Sequence, residues 1–169
     1  MAEETLREEV RRAAETAKAA SMALAQTTGE QRNAALAAMA AALRAHEEDV
    51  LAANGRDMEA ARAEGTKESL LDRLLLDSGR IEAMACALED LAALPDPVGV
   101  VQEERTLDNG LHLARVSVPL GVVAMVYEAR PNVTADAAGI CVKSGNAAVL
   151  RCGRLAAASS AAIAQVLHD

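Results

Sequence analysis

Residues 118 to 151 read VPLGVVAMVYEARPNVTADAAGICVKSGNAAVLR, and the fold turns on this stretch. After Pro119 and Gly121 comes a near-continuous apolar run, Val122 to Tyr127. A run this short and rich in β-branched residues predicts a strand buried on both faces. Glu128, Ala129 and Arg130 lead out of it, and Pro131, which needs no amide donor at a helix entry, marks the break. Val133, Ala137, Ile140 and Cys141 then recur at helical spacing up to Lys143. Ser144-Gly145-Asn146 is a helix stop, with Gly145 free to take positive φ. A second short strand, Ala147 to Leu150, ends at Arg151. Strand, crossover helix and strand make a βαβ unit with parallel pairing. Leu155, Ala158, Ala162, Ile163 and Val166 predict the next crossover helix. That helix should lead to a third parallel strand, but the sequence reaches Asp169 first. The expectation is an α/β fold carrying the first βαβα of an incomplete parallel sheet with an unpaired edge.

Upstream of this unit the period changes. Residues 98 to 107 and 111 to 118 are strand-like and meet at Asp108-Asn109-Gly110, a strong hairpin signal. Such a ribbon is marginal alone and is expected to pair with another subunit or to pack on helices. Before Pro95-Asp96-Pro97 the pattern is helical throughout. A first helix over 4–26 has Leu6, Val10, Ala13, Ala17 and Leu24 on one face. Thr27 with Glu30 reads as a capping box for a second helix, which Asn54-Gly55 ends. A short helix follows over about 58–63 and another holds Leu70, Leu71, Leu74 and Leu75. A final one, capped by Asp77 or Ser78, runs to Leu94. The chain thus divides into a helical layer (1–95), a hairpin (96–118) and the start of a nucleotide-fold sheet (119–169).

Of the 169 residues, 51% are hydrophobic, yet Tyr127 is the only aromatic one, so the core must be built from Ala, Leu and Val. The formal charge of −8 argues against nucleic acid or membrane surfaces as partners. The opening residues Met1-Ala2-Glu3-Glu4 do not resemble a signal peptide, and no apolar run is long enough for a membrane span. Cys86, Cys141 and Cys152 are far apart, without CxxC pairs, which suits a reducing cytoplasm and offers no metal site.

Neither GxxxxGK[ST] nor GxGxxG occurs, so Lys143-Ser144-Gly145 is a helix end, not a phosphate loop. Asn132 falls just beyond the carboxyl end of a strand, where open α/β sheets bind ligands. It reads either as a simple N-cap or as an amide donor to a developing oxyanion. Glu128 and Arg130, in the same loop, either hold the charged ends of an amino-acid substrate or form a surface ion pair. Arg151, at the end of the second strand, could meet a cofactor ribose or phosphate. Cys141 reads as core. Cys152 has no base beside it, and His46, His112 and His168 are isolated.

The block from Pro119 to Arg151, above all YEARPNVT followed by KSGNAAVLR, resembles the gamma-glutamyl phosphate reductases of proline biosynthesis, in the aldehyde dehydrogenase superfamily. LDRL at 71–74, DPVG at 96–99 and LDNGL at 107–111 match in the same order. The resemblance covers essentially this whole sequence but only the N-terminal part of a family member. It implies an aldehyde-dehydrogenase-like fold and a cytoplasmic, homo-oligomeric enzyme. That enzyme reduces L-glutamyl 5-phosphate with NADPH to L-glutamate 5-semialdehyde through a cysteine thioacyl intermediate. By motif position Asn132 matches the oxyanion-binding asparagine, Glu128 and Arg130 fall on the substrate side, and Arg151 and Gly153 on the cofactor side. The hairpin matches the oligomerisation ribbon. Two departures stand out. Arg151-Cys152-Gly153-Arg154 replaces the usual LRGG, placing a side chain where backbone should approach a nucleotide. None of the three cysteines matches the nucleophile, so the sequence alone is expected to be inactive. The missing C-terminal part would then come from a separate chain; the alternative is a non-catalytic binding or assembly module.

Overall fold

The computed structural model describes the backbone of residues 2–168 and the side chains of residues 4–168. Met1 and Asp169, at the outer limits of the first and last segments, lie outside the described residues. Five helices come first: α1 (Ala2–Leu24), α2 (Gly29–Ala45), α3 (Glu47–Ala63), α4 (Glu68–Leu74) and α5 (Ser78–Ala93). The hairpin β1 (Val101–Thr106) and β2 (His112–Val116) follows. Then come β3 (Val122–Val126), α6 (Asn132–Lys143) and β4 (Ala147–Arg151), and a single 3₁₀ turn leads into α7 (Ala157–His168). No described helix is long and apolar enough to cross a membrane.

The main core lies among α2, α3, α5, α6 and α7, where Leu36, Leu43, Val50, Ile81, Leu88 and Ile163 are fully buried. A smaller cluster of Met58, Ala61, Leu71, Leu74 and Ala156 joins α3 and α4 to the turn before α7. With almost no aromatic bulk, the helices approach through small residues. A Cβ on Gly139 of α6 would lie 2.5 Å from a Leu88 methyl of α5.

Buried polar side chains tie the layer together, and one of them corrects the helix boundaries read from sequence. Asn54-Gly55 does not end a helix. The break falls at His46, and α3 runs straight through Asn54. The Asn54 amide nitrogen donates to the Leu74 carbonyl at 2.8 Å and to Ser159 Oγ at 3.0 Å, and its oxygen accepts from the Leu76 amide at 2.8 Å. One turn on, the Asp57 carboxylate accepts from the backbone amides of Ala158 and Ser159 and from Ser159 Oγ, capping α7. Lys143, only 4% exposed, donates to Asn33 Oδ1 and to the Ala92 and Leu94 carbonyls at the end of α5. Beside it Arg32 grips both Asp96 carboxylate oxygens, at 2.8 and 2.7 Å. The Val98 amide and then Arg32 hold the Asp96 carboxyl below its usual range.

Other sequence expectations also shift. The capping box sits one residue later than read, on Thr28 and Gln31. In α1 the helix packs through Ala17 and Ser21, while Leu6 and Val10 remain about 60% exposed. Ile140 likewise points away from the buried face of α6. In the hairpin, an antiparallel register pairs Thr106 with His112 and bulges between Val101 and Glu103. Both of its strands are exposed along their whole length and do not bury themselves against the helices. β3 and β4 pair in parallel from Val122–Ala147 to Val126–Arg151, as the βαβ reading requires. The expected two-sided burial of β3 is not met. Its carboxyl half is open and Val126 is 82% exposed, because among the described residues β4 is the only strand paired with it.

Candidate active site

The carboxyl ends of β3 and β4 lie side by side, and the loops leaving them bring the candidate residues together. The Tyr127 amide donates to the Arg151 carbonyl, carrying the ladder one residue past β3. The Tyr127 hydroxyl meets Thr134 Oγ1 at 2.7 Å and pins the strand end to α6. Between them the Arg130 amide turns back to the Glu128 carbonyl at 2.8 Å. Pro131, not Asn132, is the N-cap of α6, so the simple N-cap reading of Asn132 fails. As the first helical residue, Asn132 donates from Nδ2 to Asp136 Oδ2 at 3.1 Å, one turn along.

Arg130 and Asn132 line one cavity of about 370 Å³. Its opposite wall comes from α4, α5 and the connection between them, including Arg73, Leu76 and Arg80. Asp136 lies on the floor, and burial pushes its carboxyl up, partly offset by the Asn132 hydrogen bond. Arg80 is fully engaged, donating to the Leu75 and Asp72 carbonyls and to Asp72 Oδ1. The cavity therefore offers an amide, guanidinium groups and a carboxylate against apolar walls. That set can orient a small zwitterionic or anionic molecule.

Glu128 and Arg130 form no ion pair with each other, and Glu128 does not line the cavity. Arg151 is exposed at the tip of β4, its guanidinium donating to the Cys152 carbonyl. Gly153 follows, and a Cβ there would lie 3.3 Å from the Glu128 carbonyl carbon and 3.4 Å from the Ala129 nitrogen. The missing side chain lets the loop after β4 rest on the loop after β3. Cys152 is half-buried beside it. Cys141 is buried in α6, and burial pushes its thiol up. Cys86 is exposed on α5, where its thiol bonds to Glu82 and is pushed up by that carboxylate. Neither Cys86 nor Cys141 lines the cavity, and both environments oppose the thiolate.

Sequence reading missed Arg73, Arg80 and Asp136. Asp136 carried a usable signal, since a residue four after Asn132 shares its helix face. The arginines reach the cavity only through the packing of α4 on α3 and of α5 on α6, which no local pattern records.

No protein-family model matches the chain. Among curated relatives, the gamma-glutamyl phosphate reductase of Parvibaculum lavamentivorans is 56% identical over 147 residues, 87% of this chain and 35% of that protein. Its counterpart from Moorella thermoacetica is 51% identical over 159 residues, 94% of this chain and 38% of that protein. The crystal structure of gamma-glutamyl phosphate reductase from Thermotoga maritima superposes with a TM-score of 0.91 at 39% identity, covering 94% of this chain and 38% of that one. A putative aldehyde dehydrogenase from Bacillus subtilis, 20% identical with a TM-score of 0.69, shares the fold. The chain spans little more than a third of the length of the curated relatives it matches. By sequence and by fold it belongs to the gamma-glutamyl phosphate reductases, as the counterpart of their N-terminal portion.

Proposed function

We propose that this chain supplies the substrate-orienting part of an oxidoreductase of proline biosynthesis, one that converts L-glutamyl 5-phosphate, NADPH and a proton to L-glutamate 5-semialdehyde, phosphate and NADP⁺. The carrying observation is that Asn132 stands at the start of α6, just beyond β3, in one cavity with Arg130. In this reading the Asn132 amide donates to the acyl oxygen as negative charge builds on it. Arg130 takes an anionic end of the glutamyl phosphate, and Glu128, exposed in the same loop, is the candidate for its amino end. The thiolate that displaces phosphate to form the thioester comes from outside these 169 residues. Burial and hydrogen bonding favour the thiol form at Cys141 and Cys86, and the Cys152 thiol makes no hydrogen bond to a base among the described residues.

When bound, the nicotinamide cofactor supplies the hydride. Its donor set is present at one place and blocked at another. The first amides of α7, where a dinucleotide fold often seats a pyrophosphate, are occupied by the Asp57 carboxylate. Arg151 presents an exposed guanidinium at the adjacent strand end, which fits a ribose or phosphate oxygen, with Gly153 keeping the loop low beside it. The reading also gives a cytoplasmic location and a homo-oligomer joined through the exposed β1–β2 ribbon.

Its test is NADPH oxidation driven by glutamyl phosphate. The chain alone should show none. Mixed with the C-terminal remainder of a related reductase it should turn over, and Asn132→Ala should then lower kcat by about 10²–10³-fold. Turnover by the chain alone would overturn the reading of the cysteines. Failure to bind the remainder would favour a non-catalytic assembly module.

A further inference from the structure

Three arginines line the cavity at Asn132, and they are not equivalent. Arg80 is consumed by the connection between α4 and α5: its guanidinium bonds two backbone carbonyls and the Asp72 carboxylate. Asp72 Oδ1 is thereby turned to Arg80 and not to Arg73. Arg73 and Arg130 are both exposed, and neither side chain takes a hydrogen bond or ion pair among the described residues. They come from opposite walls, Arg73 from the last turn of α4 and Arg130 from the loop between β3 and α6.

The chain holds 25 acidic residues against 17 lysines and arginines. Carboxylates are thus plentiful: Arg11, Arg32, Arg80 and Arg154 each hold one, and Arg44 holds two. Arg73 and Arg130 are distinguished by place: two guanidinium groups without a partner among the described residues line one concavity of about 370 Å³, where a ligand can reach both. Leu75, Leu76, Ala83 and Met84 supply the apolar part of the wall between them. α4 is also held in place. Leu71 and Leu74 are buried in the smaller core, and Asn54 grips the Leu74 carbonyl and Leu76 amide just beyond Arg73.

We propose that Arg73 is a second anion-binding side chain of this cavity, acting with Arg130 on a carboxylate or phosphoryl oxygen of a small acidic ligand. This rests on the reading of the cavity as the glutamyl phosphate site. It adds a residue from the helical layer to that site, so substrate is held between the layer and the βαβ unit.

The test is a calorimetric and NMR titration of the 169-residue chain with L-glutamate and, separately, with inorganic phosphate. Saturable binding of at least one probe is expected, and which one binds identifies the oxyanion. Arg73→Ala and Arg130→Ala should each weaken it about tenfold or more, the loss of one charge-assisted contact. Arg73→Lys should restore it only in part, because the planar fork is lost. Arg105→Ala on the ribbon, outside the cavity, should leave it unchanged, and amide spectra of every variant report whether the fold is kept. Loss in Arg130→Ala with Arg73→Ala unchanged would overturn the inference and leave the substrate reading standing. Absence of binding, or binding indifferent to both arginines, would overturn both. Arginine-dependent binding without turnover of the restored enzyme would keep the anion site and reject the catalytic reading.

Discussion

Asn54→Ala and Gly55→Ala, adjacent substitutions in one helix, should move stability in opposite directions. Asn54 is 2% exposed and makes three hydrogen bonds, two to the backbone of Leu74 and Leu76 and one to Ser159 Oγ. Truncation orphans the Leu76 N–H and the Leu74 carbonyl; Ser159 Oγ keeps its bond to Asp57. Each buried orphan costs about 1–3 kcal/mol, so the pair costs about 2–6 kcal/mol. A water in the vacated space would bring the loss toward the lower end, and we expect about 3 kcal/mol. That is a large share of the roughly 5–15 kcal/mol that stabilises a domain. Gly55 is exposed and lacks positive φ, and a methyl group added there would meet nothing within 4 Å. Alanine there should gain about 0.5–1 kcal/mol by helix propensity. Urea unfolding followed by far-ultraviolet circular dichroism measures both, with the slope m unchanged. If Asn-Gly were a helix stop instead, Gly55→Ala would destabilise and Asn54→Ala would cost under about 1 kcal/mol. That pair of signs would refute the continuous α3 and its tie to α4.

Two further substitutions probe the helix packing and the cavity floor. Gly139→Ala brings a methyl to 2.5 Å from Leu88 Cδ2 and 3.3 Å from Leu91 Cδ2. Overpacking of this kind should cost about 1–3 kcal/mol, less any helix-propensity gain, and thermal unfolding would show it; an unchanged or raised Tm would contradict the close approach of α5 and α6. Asp136→Asn tests the buried carboxyl while keeping an acceptor for Asn132. Burial raises the Asp136 pKa, so the folded state holds its proton more tightly than the unfolded chain. Stability from this group is full below the unfolded value of about 3.9 and falls as pH rises through the raised folded value. The variant should therefore match the parent in acid and exceed it near neutrality, and parallel pH–stability curves would reject the assignment.

What the sequence disclosed and what it withheld follow from where each signal is stored. The βαβ unit was legible because its punctuation is local: Pro131 stands at the helix entry and Gly145, at φ +72°, closes the helix. The hairpin was legible for the same reason, through Asn109-Gly110. The break at His46 was not, since no glycine or proline marks it and the apolar period continues from Leu43 to Val50 across it. Asn54-Gly55 carried the opposite error, because an Asn bonded to residues 20 and 105 positions away looks locally like a turn former. Apolarity of β3 was read correctly, but burial depends on neighbours that a strand's own residues do not encode. In the cavity, Asn132 and Arg130 announced themselves through a motif. Arg73 reaches them only by tertiary packing.

These differences bear on how the two halves of the candidate site are built. The cavity walls are set by buried ties within the helical layer. Asn54 fixes the residues beside Arg73, and Lys143 locks the far end of α6 to α5. Tyr127 and Thr134 then join the near end of α6 to β3. None of these ties requires a further strand. Arg151, by contrast, stands exposed at the tip of β4, and among the described residues its guanidinium bonds only to the adjacent residue's carbonyl. An arginine so placed keeps most of its rotamer freedom, and ordering it costs free energy at the moment of binding. The cavity walls on the proposed glutamyl side are thus set by this chain's own core, while Arg73 and Arg130, exposed like Arg151, are ordered only on binding. Anion binding should therefore be separable from turnover, which is why the probe titrations and the complementation assay can give different outcomes for the two halves.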